Sequence, residues 1–89
     1  MLYDIEELIW DEWNVKHIGK HDVGITEVEE TCSLIIKTYK SYQSRLIILG
    51  KTKNNRLLTT ILMKKDKKSY YVVTARDMSQ KERKLINEK

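Results

Sequence analysis

Three apolar runs crowd the second half of the chain: "RLIILGK" at 45–51, "RLLTTILM" at 56–63 and "SYYVVTAR" at 69–76. Each is rich in β-branched, leucine or aromatic residues and reads as a strand. The links between them are short and polar, with "KNN" at Lys53 to Asn55 and "KKDKK" at Lys64 to Lys68. Links of this length cannot carry the crossover that parallel neighbours need, so consecutive runs must pair antiparallel. A three-stranded meander therefore constrains everything else.

Upstream, "EELIWDEW" alternates in polarity and predicts a first strand from about Glu7 to Trp13, preceded by an arm at Met1 to Glu6 that is loose or briefly helical. Asn14 offers an N-cap for a short helix through Lys20, with Trp13 placed to pack back on it. "GITEVEETCSLIIK" predicts a second helix: Gly24 is the cap, Glu27 follows three residues later, and Ile25, Val28 and Cys32 recur at helical spacing. "TYKSYQS" has no period and is expected to be a loop. Ser79 and Glu82 form a capping box that opens a last helix ending near Asn87. The predicted order is β-α-α-β-β-β-α, an α+β fold in which an antiparallel sheet packs against two N-terminal helices, with a short C-terminal helix. At 89 residues, the expectation is a single domain spanning 1–89, with room for a binding module or a minimal hydrolase.

Charge is distributed unevenly. Residues 1–13 carry five acids and no Lys or Arg, so the rest of the chain holds all 17 Lys and Arg against eight of the 13 acids. Such a body attracts polyanions, and nucleic acid is the partner expected from it, with a merely soluble basic protein as the plain alternative. The lone Cys32 allows no internal disulfide, and no apolar run is long enough to span a bilayer. A cytoplasmic setting without membrane contact is expected. No glycine-rich phosphate loop, G-x-S-x-G elbow, Walker lysine or paired-carboxylate signature is present.

The candidate chemistry lies where the last strand meets the last helix. Strict alternation on 69–76 groups Tyr70, Val72, Thr74 and Arg76 on one face and Tyr71, Val73 and Ala75 on the other, which suits burial under the helices. Arg76 would then present its guanidinium fork to phosphate, or else pair with Asp77 or another nearby acid. Lys81 and Arg83 occupy the first turn of the last helix, where the helix dipole disfavours cations; Lys84 can pair with Glu88. Arg56, Lys51 and Lys53 surround the hairpin tip. His17 and His21 are four residues apart, as are Lys16 and Lys20, but no further ligand lies at a spacing that would complete a metal site. His21, beside Lys20, is placed for proton transfer or for a plain helix-terminal role.

Three segments together resemble the BrnT family of ribonuclease toxins, which have the RelE-like fold: "WDEWNVKHIGKHDVG", "GKTKNNRLLTTIL" and "YYVVTARDMSQKERKL". Asp22 stands where the family usually has glycine, Gly24 where it has Ser or Thr, and Ile86 where an aromatic is frequent. The resemblance implies an endoribonuclease toxin of a type II toxin–antitoxin pair that inhibits translation. It also implies a ribbon-helix-helix, BrnA-like antitoxin as partner, with operator DNA reached only through that antitoxin. Cleavage would proceed by 2′-hydroxyl attack without metal or other cofactor. Arg76, Arg83, Lys20 and His21 would be catalytic, while Lys16, Lys51, Arg56, Lys81 and Lys84 would bind RNA. The alternatives are a catalytically inactive RelE-fold protein that binds antitoxin or RNA, and a basic structural module.

Overall fold

The structure is a computed structural model that describes residues 5–87. Its elements run β1 (Glu7–Ile9), α1 (Glu12–Gly19), α2 (Ile25–Ser33), β2 (Ile35–Lys40), β3 (Arg45–Lys51), β4 (Leu57–Lys64), β5 (Ser69–Asp77) and α3 (Gln80–Asn87). The five strands form one sheet in the order β1-β5-β4-β3-β2. The meander is antiparallel throughout, and β1 adds to it in parallel, with Leu8 opposite Tyr70. The long excursion through α1, α2 and the meander supplies the crossover that this parallel pair requires. The arm expected at Met1 to Glu6 lies largely outside the described residues, as does the Glu88 expected to partner Lys84.

One strand more is present than the sequence pattern predicts. Helix α2 stops at Ser33, and "IIKTYK", expected as the end of a helix and the start of a loop, is edge strand β2. Its β-branched Ile35, Ile36 and Thr38 prefer the extended chain, and its pairing with β3 includes a register shift between Ile35 and Lys37. That shift blurs the alternation by which a strand is recognised. The first strand is also shorter than expected, because Asp11, and not Asn14, caps α1: its carboxylate accepts from Asn14 N at 2.8 Å. Asn14 is fully buried in the first turn, and its Nδ2 donates to Ile9 O at 2.9 Å and Val72 O at 3.1 Å. It thereby ties α1 to β1 and β5. Trp13, expected to pack inward, lies outside.

Both N-terminal helices cover one sheet face. Ile18 and Val28 from the helices meet Leu46, Ile48, Leu58, Leu62, Tyr70, Val72 and Ala75 from the strands. Fully burying each large aliphatic side chain is worth about 1.5–3 kcal/mol. Gly50 lets α2 approach closely, since a Cβ there would lie 2.7 Å from Thr31 O. Strand β5 does not keep strict alternation. The register slips between Ile61 and Leu62 of β4, leaving Val73 of β5 as an extra residue, so that Tyr70, Val72 and Ala75 all face the helices. The predicted grouping of Tyr71 and Val73 with Ala75 is thus corrected. Arg76, one residue after Ala75, points to the face away from α1 and α2, as expected.

Candidate nucleic-acid interface

The exit of β5 is held by two ionic clusters, one on each side of the sheet. On the helix side, Arg56 leaves the β3–β4 loop and reaches four groups. Its Nε donates to Asp77 Oδ1 at 2.9 Å, and Nη1 lies 3.1 Å from both oxygens of Glu27. Nη1 also meets Asp22 O at 2.6 Å, and Nη2 meets His21 O at 3.3 Å. The side chain is 27% exposed. Arg56 therefore locks the α1–α2 turn, the start of α2 and the end of β5 together. Its bond to Asp77 holds that carboxyl below the usual aspartate range, with Arg83 adding attraction, and raises the Arg56 guanidinium further.

On the other side, Arg76 is clamped by Glu82. Nη1 to Oε1 is 2.8 Å and Nη2 to Oε2 is 3.0 Å, a two-pronged pair; Nη1 also reaches Asp77 O at 3.2 Å. Glu82 Oε1 accepts from Thr59 Oγ1 and from Ser79 N as well, each at 2.8 Å, and Ser79 Oγ accepts from Glu82 N at 3.2 Å. The expected capping box is formed, and its glutamate does a second task. The Arg76 guanidinium is the largest influence holding the Glu82 carboxyl down to about 2, and the same pair raises Arg76. Of the two readings open for Arg76, the geometry contains the ion pair, with Glu82 in place of the expected Asp77. The fork that would grip a phosphate is occupied by a carboxylate.

Arg83 differs. It is exposed, its Nε donates to Met78 O at 3.3 Å, and it forms no ion pair among the described residues. The two arginines of the β5–α3 junction thus differ: Arg76 is held in a two-pronged ion pair, and Arg83 is only attracted by Asp77. Lys81 and Lys84 are exposed on the same helix, and Lys51 ends β3 at this end of the sheet. The N-terminal acids lie elsewhere: Glu6 pairs with Lys68, Glu7 accepts from Ser69 Oγ and Asp11 accepts from Tyr71 Oη, all toward the start of β5. Eight residue steps separate Ser69 from Asp77, about 26 Å of extended chain.

Lys20 and His21 are exposed at the C-terminal end of α1, where His21 O is fixed by Arg56. Through Arg56 and Asp77 this turn is linked to the vicinity of Arg83. Asp22, where the resemblance leads one to expect glycine, has φ 61, the left-handed backbone that glycine adopts without cost and aspartate tolerates. Gly24 caps α2 without a side-chain bond, but its N–H donates to Glu27 Oε1 at 3.1 Å. The corner is therefore built despite both departures.

Farther along α1, Lys16 is exposed and Trp13 stacks on His17 with ring centroids 4.8 Å apart and planes 8° apart; His17 meets His21 edge-on at 5.7 Å. Trp13 lies on the surface where the sequence pattern predicts an inward-packing residue, and the i, i+4, i+8 spacing of Trp13, His17 and His21 is the signal that puts the three rings on one side. Cys32 is half-buried against the core, and the desolvation of its thiol pushes it up to about 12 and leaves it unsuited to nucleophilic work. Among the described residues, no three His, Cys, Asp or Glu side chains gather as a metal site, and no helix is long and apolar enough to cross a membrane.

No family model matches the sequence, and no curated protein matches it. Among solved structures, the chain is similar to the crystal structure of the Brucella abortus ribonuclease toxin BrnT, at 23% identity and a TM-score of 0.66, over 83% of this chain and 97% of that one. What the likeness establishes is architecture: this chain has a BrnT-like, α+β fold.

Proposed function

We propose that the chain is an endoribonuclease toxin that cleaves RNA by attack of a 2′-hydroxyl on the adjacent phosphorus, slowing translation. The observation that supports it most is the arrangement of exposed basic side chains around the end of β5: Lys20 and His21 on one side and Arg83 on the other, around an Arg56–Asp77 strut, in a BrnT-like fold. In this reading Arg83 stabilises the charge that builds on the phosphorane oxygens, since its guanidinium forms no ion pair among the described residues. Arg76 contributes a second positive charge and, by gripping Glu82, fixes the helix start from which Arg83 projects. Lys20 and His21 take the proton from the attacking hydroxyl and supply one to the leaving oxygen. Lys16, Lys51, Lys81 and Lys84 guide the polyanion, while Arg56 acts through the strut. A ribbon-helix-helix antitoxin of the BrnA kind holds the enzyme inactive in the cytoplasm.

Digestion of an end-labelled RNA by the purified chain in a chelator tests the reading. Fragments ending in 2′,3′-cyclic phosphate are expected; intact RNA with folded protein would leave a non-catalytic binding module in its place.

A further inference from the structure

The ring pair on α1 is unexplained by the fold. Trp13 is 59% exposed and adds nothing to the core cluster, yet its ring lies flat on His17, which in turn abuts His21. A large aromatic on the surface has lost the burial that ordinarily justifies it. One ring face is taken by His17, and the exposure leaves the other open to solvent. Trp13, Lys16, His17 and Lys20 line a groove of about 190 Å³. Both lysines are exposed, and neither forms an ion pair among the described residues. Helical geometry sets Trp13 to His21 about 12 Å apart along α1. The ladder therefore runs from open solvent directly to the His21 corner that Arg56 anchors.

An open indole face beside two unpaired ammonium groups combines the two features that single-stranded nucleic acid recognition uses: a platform for a base and cations for its backbone. A duplex keeps its bases stacked on one another and offers no free face to the indole. Charge argues against an acidic-poor protein segment as the occupant, because nothing in such a segment would answer Lys16 and Lys20. We propose that Trp13, supported by His17 and flanked by Lys16 and Lys20, is a stacking subsite for an unpaired nucleotide of single-stranded RNA next to the scissile one. The proposal rests on the RNA-cleaving reading for its substrate class but makes a separate claim about binding.

Binding of a fluorescent single-stranded 2′-O-methyl RNA, which lacks the attacking hydroxyl and cannot be cut, separates the two claims. Wild type is expected to prefer the single strand to a duplex of the same sequence. Trp13→Ala should weaken single-strand binding at least about fivefold, while Trp13→Phe, which keeps a ring face, should stay within about twofold of wild type. Lys16→Ala should lower the salt dependence of binding. Because Trp13 lies outside the core, both Trp13 variants should melt with wild type, and circular dichroism checks this. Equal binding by Trp13→Ala and wild type, or no binding by wild type, overturns the subsite. A chain that binds the uncuttable strand through Trp13 but leaves ordinary RNA intact retains the subsite and loses the ribonuclease; one that cuts RNA indifferently to Trp13 does the reverse.

Discussion

At the end of β5, the guanidiniums of Arg56 and Arg76 each engage carboxylates from other elements; along α1, the ammonium groups of Lys16 and Lys20 stand in solvent beside an open aromatic ring. All four groups are basic in sequence, and among the described residues only the two guanidiniums are neutralised in space. The contrast follows from chemistry. A planar guanidinium with five donors can join several elements at once, whereas a lysine on an exposed helix face gains little from any single partner. Basic residues in this chain therefore divide into those that hold the fold and those that remain available to a polyanion, and Arg83 falls in the second group.

Removing Arg56 should break that division most visibly. Arg56→Ala leaves Glu27 and Asp77 without their partner and two backbone carbonyls without a donor, and should cost about 2–3 kcal/mol in urea denaturation. Lys16→Ala should stay within about 0.5 kcal/mol of wild type. Equal costs for the two would erase the contrast.

Acid unfolding sharpens it. Glu82 titrates near 2 in the folded chain and at its ordinary, higher value when unfolded, so its pair with Arg76 stabilises fully above that ordinary value and the contribution fades as pH falls toward 2. Asp77 acts in the same direction through Arg56. Glu82→Gln should therefore lose less stability than wild type between about pH 5 and 2, retaining the Asp77 share. Parallel curves for the two proteins would show that the Arg76–Glu82 pair carries no linkage.

The meander, the last helix with its Ser79–Glu82 box and the outward direction of Arg76 were legible because hairpin links, capping residues and strand length are local signals. What hid was non-local. Strand β2 continues directly from α2, and its irregular register removes the alternation that would separate strand from helix or loop. The extra residue at Val73 inverts the inside and outside of β5 halfway along, which period-two reading cannot foresee. Glu82 was visible as a cap, but its grip on Arg76 requires α3 to turn back over Thr59, a tertiary fact. Asp22 shows the converse: a non-glycine residue that nevertheless holds the left-handed backbone, with φ 61, in the turn after α1.

The most direct test compares Arg83→Ala with wild type in the rate of RNA cleavage, with unfolding measured on the same samples. The account gives a loss of about 10²–10³-fold in rate with stability unchanged, as for removal of a group that meets charge only in the transition state. Cleavage by Arg83→Ala at the wild-type rate would contradict it.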